Sequence, residues 1–229
     1  MYVLGIDVGI RNLSFCLMSR DDEEPHRLDK YAIHFWELID LLVPEASACC
    51  IADCMETGKY QSSDDFFCKT HFPKGLRAAD YKRRVLKPDA QALCLLTSDR
   101  IRQIMDATPA FQRVDRIVIE NQAVSTSAIK KQGQSIFTIL SLLYAHNPRV
   151  TIKYTMASNK LKYFLGPPDL VPEMKDKYKH RKLTAIANMT WYLENMFARD
   201  QRDEWGVKLV RADTADAALF CIHQLRFTT

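Results

Sequence analysis

Seven glycines in 229 residues are too few for a protein that wraps nucleotide phosphates in several glycine-rich loops. No apolar run approaches the ~20 residues of a membrane span. Only six residues precede Asp7, too short an apolar stretch for a secretory signal. Seven cysteines, an odd number bunched in one region, do not make a secreted disulfide framework. The chain carries no repeat and no low-complexity tract. These shortages predict a soluble, intracellular protein in a reduced compartment with no membrane partner. With 47% apolar and 26% charged residues it is predicted to be globular, with length for one domain plus an insertion or for two small ones.

The net charge of +4 is too small to name a partner, but its distribution is uneven. From Arg149 to Lys182 nine Lys or Arg stand against three acids, and from Phe72 to Pro88 six stand against one. A solvated face is the ordinary explanation of one such run. Two of them flanking acidic segments read as phosphate tracks. The candidate nucleic-acid contacts are Lys74, Arg77, Lys82, Arg83, Arg84, Lys130, Lys131 and Lys179.

Tyr2 to Asp7 and Leu13 to Met18 are β-prone runs separated by Gly9–Asn12, which predicts a hairpin. Tyr31 to Trp36 is a third strand. Asp89 caps a helix with apolar positions at Leu93, Ile101 and Ile104. Val114 to Ile119 is a β-branched run suited to a central strand and ends at Glu120. A long helix over Ser125 to Ala145, a strand at Val150 to Tyr154, a helix over Lys179 to Phe197, a β-prone Lys208–Val210 and a last helix over Ala212 to Leu225 complete an α/β or α+β layered domain. Residues 1–43 and 89–229 form that domain, and 44–88 form an insertion.

Within the insertion, Cys50, Cys54, Cys68 and His71 offer two pairs of soft ligands for a structural zinc ion, with Cys49 as the alternative to Cys50. Four protein ligands close the coordination sphere, so this zinc shapes the insertion and does no chemistry. Tyr60, Phe66, Phe67 and Phe72 are the candidate core around it. Cys16, Cys94 and Cys221 read as buried small hydrophobes.

Three acidic segments stand where an apolar run stops or a helix starts: Ile6-Asp7-Val8-Gly9, Ile119-Glu120-Asn121-Gln122 and Asp213-Thr214-Ala215-Asp216. If the run ending in Glu120 pairs in parallel beside the first strand, Glu120 and Asp7 project from neighbouring strand ends. Asp213 and Asp216, three apart in a first helical turn, share a face; capping alone explains such a pair equally well. A carboxylate following an apolar strand is harder to explain without a partner or a cation. Four carboxylates supply hard oxygen ligands suited to two Mg²⁺ or Mn²⁺ ions, the equipment for hydrolysing a phosphodiester.

The segments Gly5-Ile6-Asp7-Val8-Gly9-Ile10-Arg11-Asn12-Leu13, Val118-Ile119-Glu120-Asn121-Gln122 and Asp213-Thr214-Ala215-Asp216-Ala217 resemble the motifs of RuvC-like Holliday junction resolvases. The likeness is to the branch of poxviruses and other large nucleocytoplasmic DNA viruses, related to fungal mitochondrial resolvases. It spans nearly the whole chain outside the insertion. The resemblance implies a ribonuclease H-like fold, a mixed five-stranded sheet flanked by helices, and metal ligation by Asp7, Glu120, Asp213 and Asp216. It implies a basic residue at the scissile phosphate, Lys182 or alternatively Lys179, and a Mg-dependent endodeoxyribonuclease acting on four-way junction DNA during recombination. A viral factory in the host cytoplasm, or the virion, is the location if the viral branch holds. Paired cuts on opposed strands imply a homodimer, with the long helix as candidate interface. Two other readings stay open: a related nuclease acting on other branched or RNA-containing substrates, and a non-catalytic nucleic-acid-binding module.

Overall fold

The first two β-prone runs pair antiparallel as β1 (Tyr2–Asp7) and β2 (Leu13–Arg20), with Gly5 opposite Cys16 and Asp7 opposite Ser14. β3 (Tyr31–Ile39) pairs antiparallel with β2. The computed structural model describes residues 1–21, 31–42, 49–51, 54, 58, 60–62, 65–77, 89–122, 127–161, 164–206 and 212–227. Lys82, Arg83, Arg84, the β-prone stretch 208–210 and the expected helix start at Ser125 lie outside the described residues. The chain divides into two units, Met1–Asp40 with Ala90–Thr229, and Leu41–Asp89.

The smaller unit carries a short antiparallel hairpin, β4 (Tyr60–Ser62) and β5 (Asp65–Phe67). In the larger unit β6 (Arg116–Asn121) pairs in parallel with β1, and β7 (Thr151–Met156) in parallel with β6. The result is a mixed five-stranded sheet in the order β3-β2-β1-β6-β7. β1 lies in the middle, and every residue after Tyr2 is buried, which explains an apolar run without polar alternation.

Side chains alternate across a strand. Val3, Gly5 and Asp7 therefore face one side of the sheet, and Leu4 and Ile6 the other. Helices cover both sides: α1 (Ala90–Ala107), α2 (Ser127–Leu143), α3 (Lys177–Met196), the short α4 (Arg199–Trp205) and α5 (Ala212–Phe227). α1 packs on α2, and α2 on β6 and β7, whereas α5 lies on β1, β2 and β3 with α3 against it. Val3, Cys16, Met18, Trp36 and Val118 join Met189, Leu193, Ala217, Ala218 and Cys221 in one buried cluster.

α5 can come this close to β1 because both surfaces are small. A methyl group on Gly5 would strike the Ala217 carbonyl and crowd the Cys221 sulphur at 2.9 Å. Gly5→Ala is expected to cost about 1–3 kcal/mol, a fall of about 2–4 °C in Tm for each kcal/mol. An unchanged melting temperature would show that the two elements are further apart.

Several expected boundaries shift for physical reasons. β6 runs through Asn121, so Glu120 lies inside the strand, paired with Thr155 of β7, and not beyond its end. Val114 is outside the strand, because its N–H closes a 3₁₀ turn on the Phe111 carbonyl at 3.4 Å. α3 begins two residues before Lys179: the Asp176 side chain caps it, accepting from the Tyr178 and Lys179 N–H groups at 3.0 Å each.

Candidate active site

Period-two alternation puts Glu120 on the same face as Val118, and Asp7 on the same face as Gly5, so both carboxylates lie on the side covered by α5. Asp213 and Asp216 occupy the first turns of α5. That turn is held from β3: the buried Trp36 indole N–H donates to the Thr214 carbonyl at 2.8 Å. Strand ends and helix start thus meet on one face of the sheet.

At the centre is a residue that sequence reasoning passed over. Lys160 sits on a 3₁₀ turn, Ala157–Leu161, that follows β7 and packs against α5. Its Nζ is 2.6 Å from Asp216 Oδ2, 3.9 Å from Glu120 Oε1 and 5.1 Å from the Phe220 ring centroid, with only 10% of the side chain exposed. Lys182 of α3 reaches Asp213 Oδ1 at 3.4 Å and is 37% exposed. Lys179, the alternative, is exposed nearly one turn earlier on α3. The carboxylates therefore fall into two linked groups: Asp7, Glu120 and Asp216 around Lys160, and Asp213 beside Lys182.

Burial pushes the Asp7 carboxyl well above its ordinary value, and the hydrogen bond and charge of Glu120 with the charge of Asp216 push it further, against Lys160. Asp216 is pushed up to about 6, first by burial; Lys160 pulls it down while Glu120 and Asp213 push it up. Burial opposes the charge on Lys160, yet Asp216, Glu120 and Asp7 together hold its pKa above the ordinary value. One buried lysine thus faces three carboxylates, leaving excess negative charge in a dry place. Asp216 Oδ1 is buried with no hydrogen-bond partner among the described residues. An oxygen-only donor set, excess negative charge and an orphaned carboxylate oxygen fit a hard divalent cation.

Of the residues expected to touch nucleic acid, Lys130 and Lys131 are exposed on α2, and Lys74 and Arg77 are exposed in the smaller unit. In that unit Cys49, Cys54, Cys68 and His71 bring one ligand atom each to within 4.8 Å of one another. Cys50, the first choice from spacing, is exposed and takes no part; Cys49, its alternative, is buried and does. Burial raises the Cys49 thiol, but the backbone at Cys68 and Ile51 and the side chains of His71 and Cys54 bring it down to about 6.

No protein-family model matches the chain, and no curated protein does. Among solved structures, the yeast mitochondrial Holliday junction resolvase Ydc2 superposes with a TM-score of 0.54 at 13% identity, over 98% of this chain and 77% of that one. The fowlpox virus resolvase, in a complex with its substrate Holliday junction DNA, superposes at 0.50 with 10% identity, over 98% of this chain and 97% of that one. In fold, the chain is similar to Holliday junction resolvases. The mixed five-stranded sheet flanked by helices matches the ribonuclease H-like fold of those resolvases. The likeness embraces a fungal mitochondrial and a viral protein alike, so it does not single out the viral branch. Among the described residues, no helix is long and apolar enough to cross a membrane.

The raised carboxyls give a pH dependence with a definite sign. A group whose folded pKa lies above its unfolded value contributes stability that is present below the unfolded value and lost as pH rises through the folded one. For Asp216 the window runs from 3.8 to about 6, and the loss is about 3 kcal/mol. Metal-free protein is therefore expected to lose heat stability across this window, and Mg²⁺ to restore more of it at pH 8 than at pH 5. Thermal denaturation at both pH values, with and without Mg²⁺, checks this. Asp216→Asn must flatten the metal-free slope, and an unaltered slope would rule out Asp216 as its source.

Proposed function

We propose that this protein is a Mg²⁺-dependent endonuclease that resolves four-way DNA junctions, with Asp7, Glu120, Asp213 and Asp216 as ligands of two divalent ions. The observation that carries the reading is the meeting of three sequence-distant acidic segments around a buried lysine, with a buried Asp216 oxygen left unpartnered. When bound, such ions supply an activated water and neutralise charge at the scissile phosphate. The protein's own part is positional. β1 and β6 fix Asp7 and Glu120 on adjacent strands, and Trp36 fixes the helical turn that bears the other two acids. Lys160 holds Glu120 and Asp216 together. Lys182, half-buried beside Asp213, is the cation accessible to a phosphate oxygen.

The fold shared with junction resolvases supports the choice of substrate. Two opposed cuts call for two sites, and we assign a two-fold dimer with α2 as the candidate contact, where Leu142 is 71% exposed. The deciding experiment offers the protein a synthetic four-way junction, the matching linear duplex and an RNA–DNA hybrid, each with Mg²⁺ and with EDTA. Paired, Mg²⁺-dependent cuts in the junction alone are expected. Equal cutting of the duplex or hybrid would favour a nuclease of broader choice, and junction binding without cutting would favour a non-catalytic module.

A further inference from the structure

The described residues of the smaller unit, Leu41–Asp89, bury little apolar surface. Among its described residues the buried ones are Leu41, Cys49, Gly58 and Cys68, so two of the four are cysteines. Its aromatic contacts, Tyr60 on Phe72 at 4.5 Å and Phe67 on Phe72 at 6.4 Å, involve rings that are only half-buried. The hairpin has three residues in each strand, and such a hairpin is marginal in water without further support. So small an apolar centre among the described residues favours a cross-link or a metal as further support.

The cysteine and histidine atoms have the shape of a metal site. With Zn–S near 2.3 Å and Zn–N near 2.0–2.1 Å, a tetrahedral ion sets S···S at about 3.8 Å and S···N at about 3.6 Å. Here Cys54 Sγ is 3.9 Å from Cys68 Sγ, Cys49 Sγ is 3.5 Å from His71 Nδ1, and Cys68 Sγ is 3.4 Å from His71 Nδ1. These are edges of such a tetrahedron. The backbone selects Cys49 over Cys50. The Cys50 N–H donates to the Phe66 carbonyl at 2.7 Å, laying this segment along β5. Cys49 is then buried and Cys50 exposed. The Cys54 N–H donates to the Ile51 carbonyl at 3.2 Å, which holds the next ligand close to this segment.

We infer that Cys49, Cys54, Cys68 and the Nδ1 of His71 bind one structural Zn²⁺ on which the folding of the 41–89 unit depends, and that Cys50 is not a ligand. The three sulphurs bind as thiolates, so binding releases whatever protons they still carry, and the Cys₃His sphere leaves no place for water or substrate. The inference is independent of the nuclease reading, because Asp7→Asn protein must carry the same zinc.

The test is metal analysis of the full-length protein. One zinc per chain is expected in the wild type and in Cys50→Ser, with loss in Cys49→Ser and in Cys68→Ser. Because those last two variants can fail to fold, the wild type supplies a second measurement. A strong chelator is expected to abolish hydrogen-exchange protection in β4 and β5 and to leave β1 and β6 protected, and added Zn²⁺ is expected to restore it. Co²⁺ in place of zinc is expected to give the visible and thiolate charge-transfer bands of a tetrahedral thiolate site. Zinc-free protein from zinc-supplemented growth, equal loss of metal in Cys50→Ser and Cys49→Ser, or unchanged β4–β5 protection after chelation would each overturn it.

Discussion

Asp7→Asn is expected to slow cleavage of a four-way junction by at least ~10³-fold, while the metal-free protein becomes more resistant to heat. Both effects come from the same carboxyl group. Asp7 is 7% exposed, on the central strand, with Glu120 and Asp216 close enough to raise its pKa. Asparagine keeps the shape and removes the charge proposed to bind a cation. Losing about 4 kcal/mol of transition-state stabilisation corresponds to ~10³ in rate. Without metal the same charge is a burden, since it repels two neighbouring acids in a dry pocket, and its removal is expected to return about 1–3 kcal/mol. Single-turnover cleavage and thermal denaturation without metal measure the two halves. Activity within tenfold of wild type would remove Asp7 from the chemistry, and a less stable variant would mean that its charge is already compensated.

Lys160→Met is expected to have the opposite effect on stability. This lysine is the cation among Asp7, Glu120 and Asp216, and methionine retains its bulk but not its charge. Removing one partner of a buried ion pair typically costs 3–5 kcal/mol. The variant is expected to melt lower than wild type at pH 8 without metal, and to recover at pH 5, where Asp216, already titrating near 6, takes up its proton. Added Mg²⁺ is expected to stabilise the variant by a larger increment than it does the wild type. A metal-free variant as stable at pH 8 as the parent would show that Lys160 does not balance these acids.

Much of the layered domain was legible because its signals are local. The apolar run at Tyr2–Asp7 and the β-branched run before Glu120 read as buried strands, and both are. Asp213 and Asp216 read as the start of a helix, and the helix begins at Ala212. That the three acidic segments meet was not legible from any one of them. It depends on a parallel pairing between residues more than 100 apart and on the close packing allowed by Gly5 and Ala217. Lys160 escaped notice because it lies on a 3₁₀ turn without apolar periodicity, as one of nine Lys or Arg between Arg149 and Lys182 that nothing in the sequence distinguishes. The choice between Cys49 and Cys50 was beyond spacing, since either fits a two-to-four-residue gap before Cys54. A backbone hydrogen bond to Phe66 separates them. The hairpin β4–β5 and the charged helix α4 carry too few apolar residues to announce themselves.

The order in which the pocket's acids occur along the chain bears on how the protein is made. Asp7 leaves the ribosome first, and Asp216 follows only after more than 200 further residues. The opening hairpin can form early in synthesis, but α5, which bears two of the four acids, follows every other element described above. A chain cut short before α5 would hold two of the four acids and lack the other half of the proposed metal ligands.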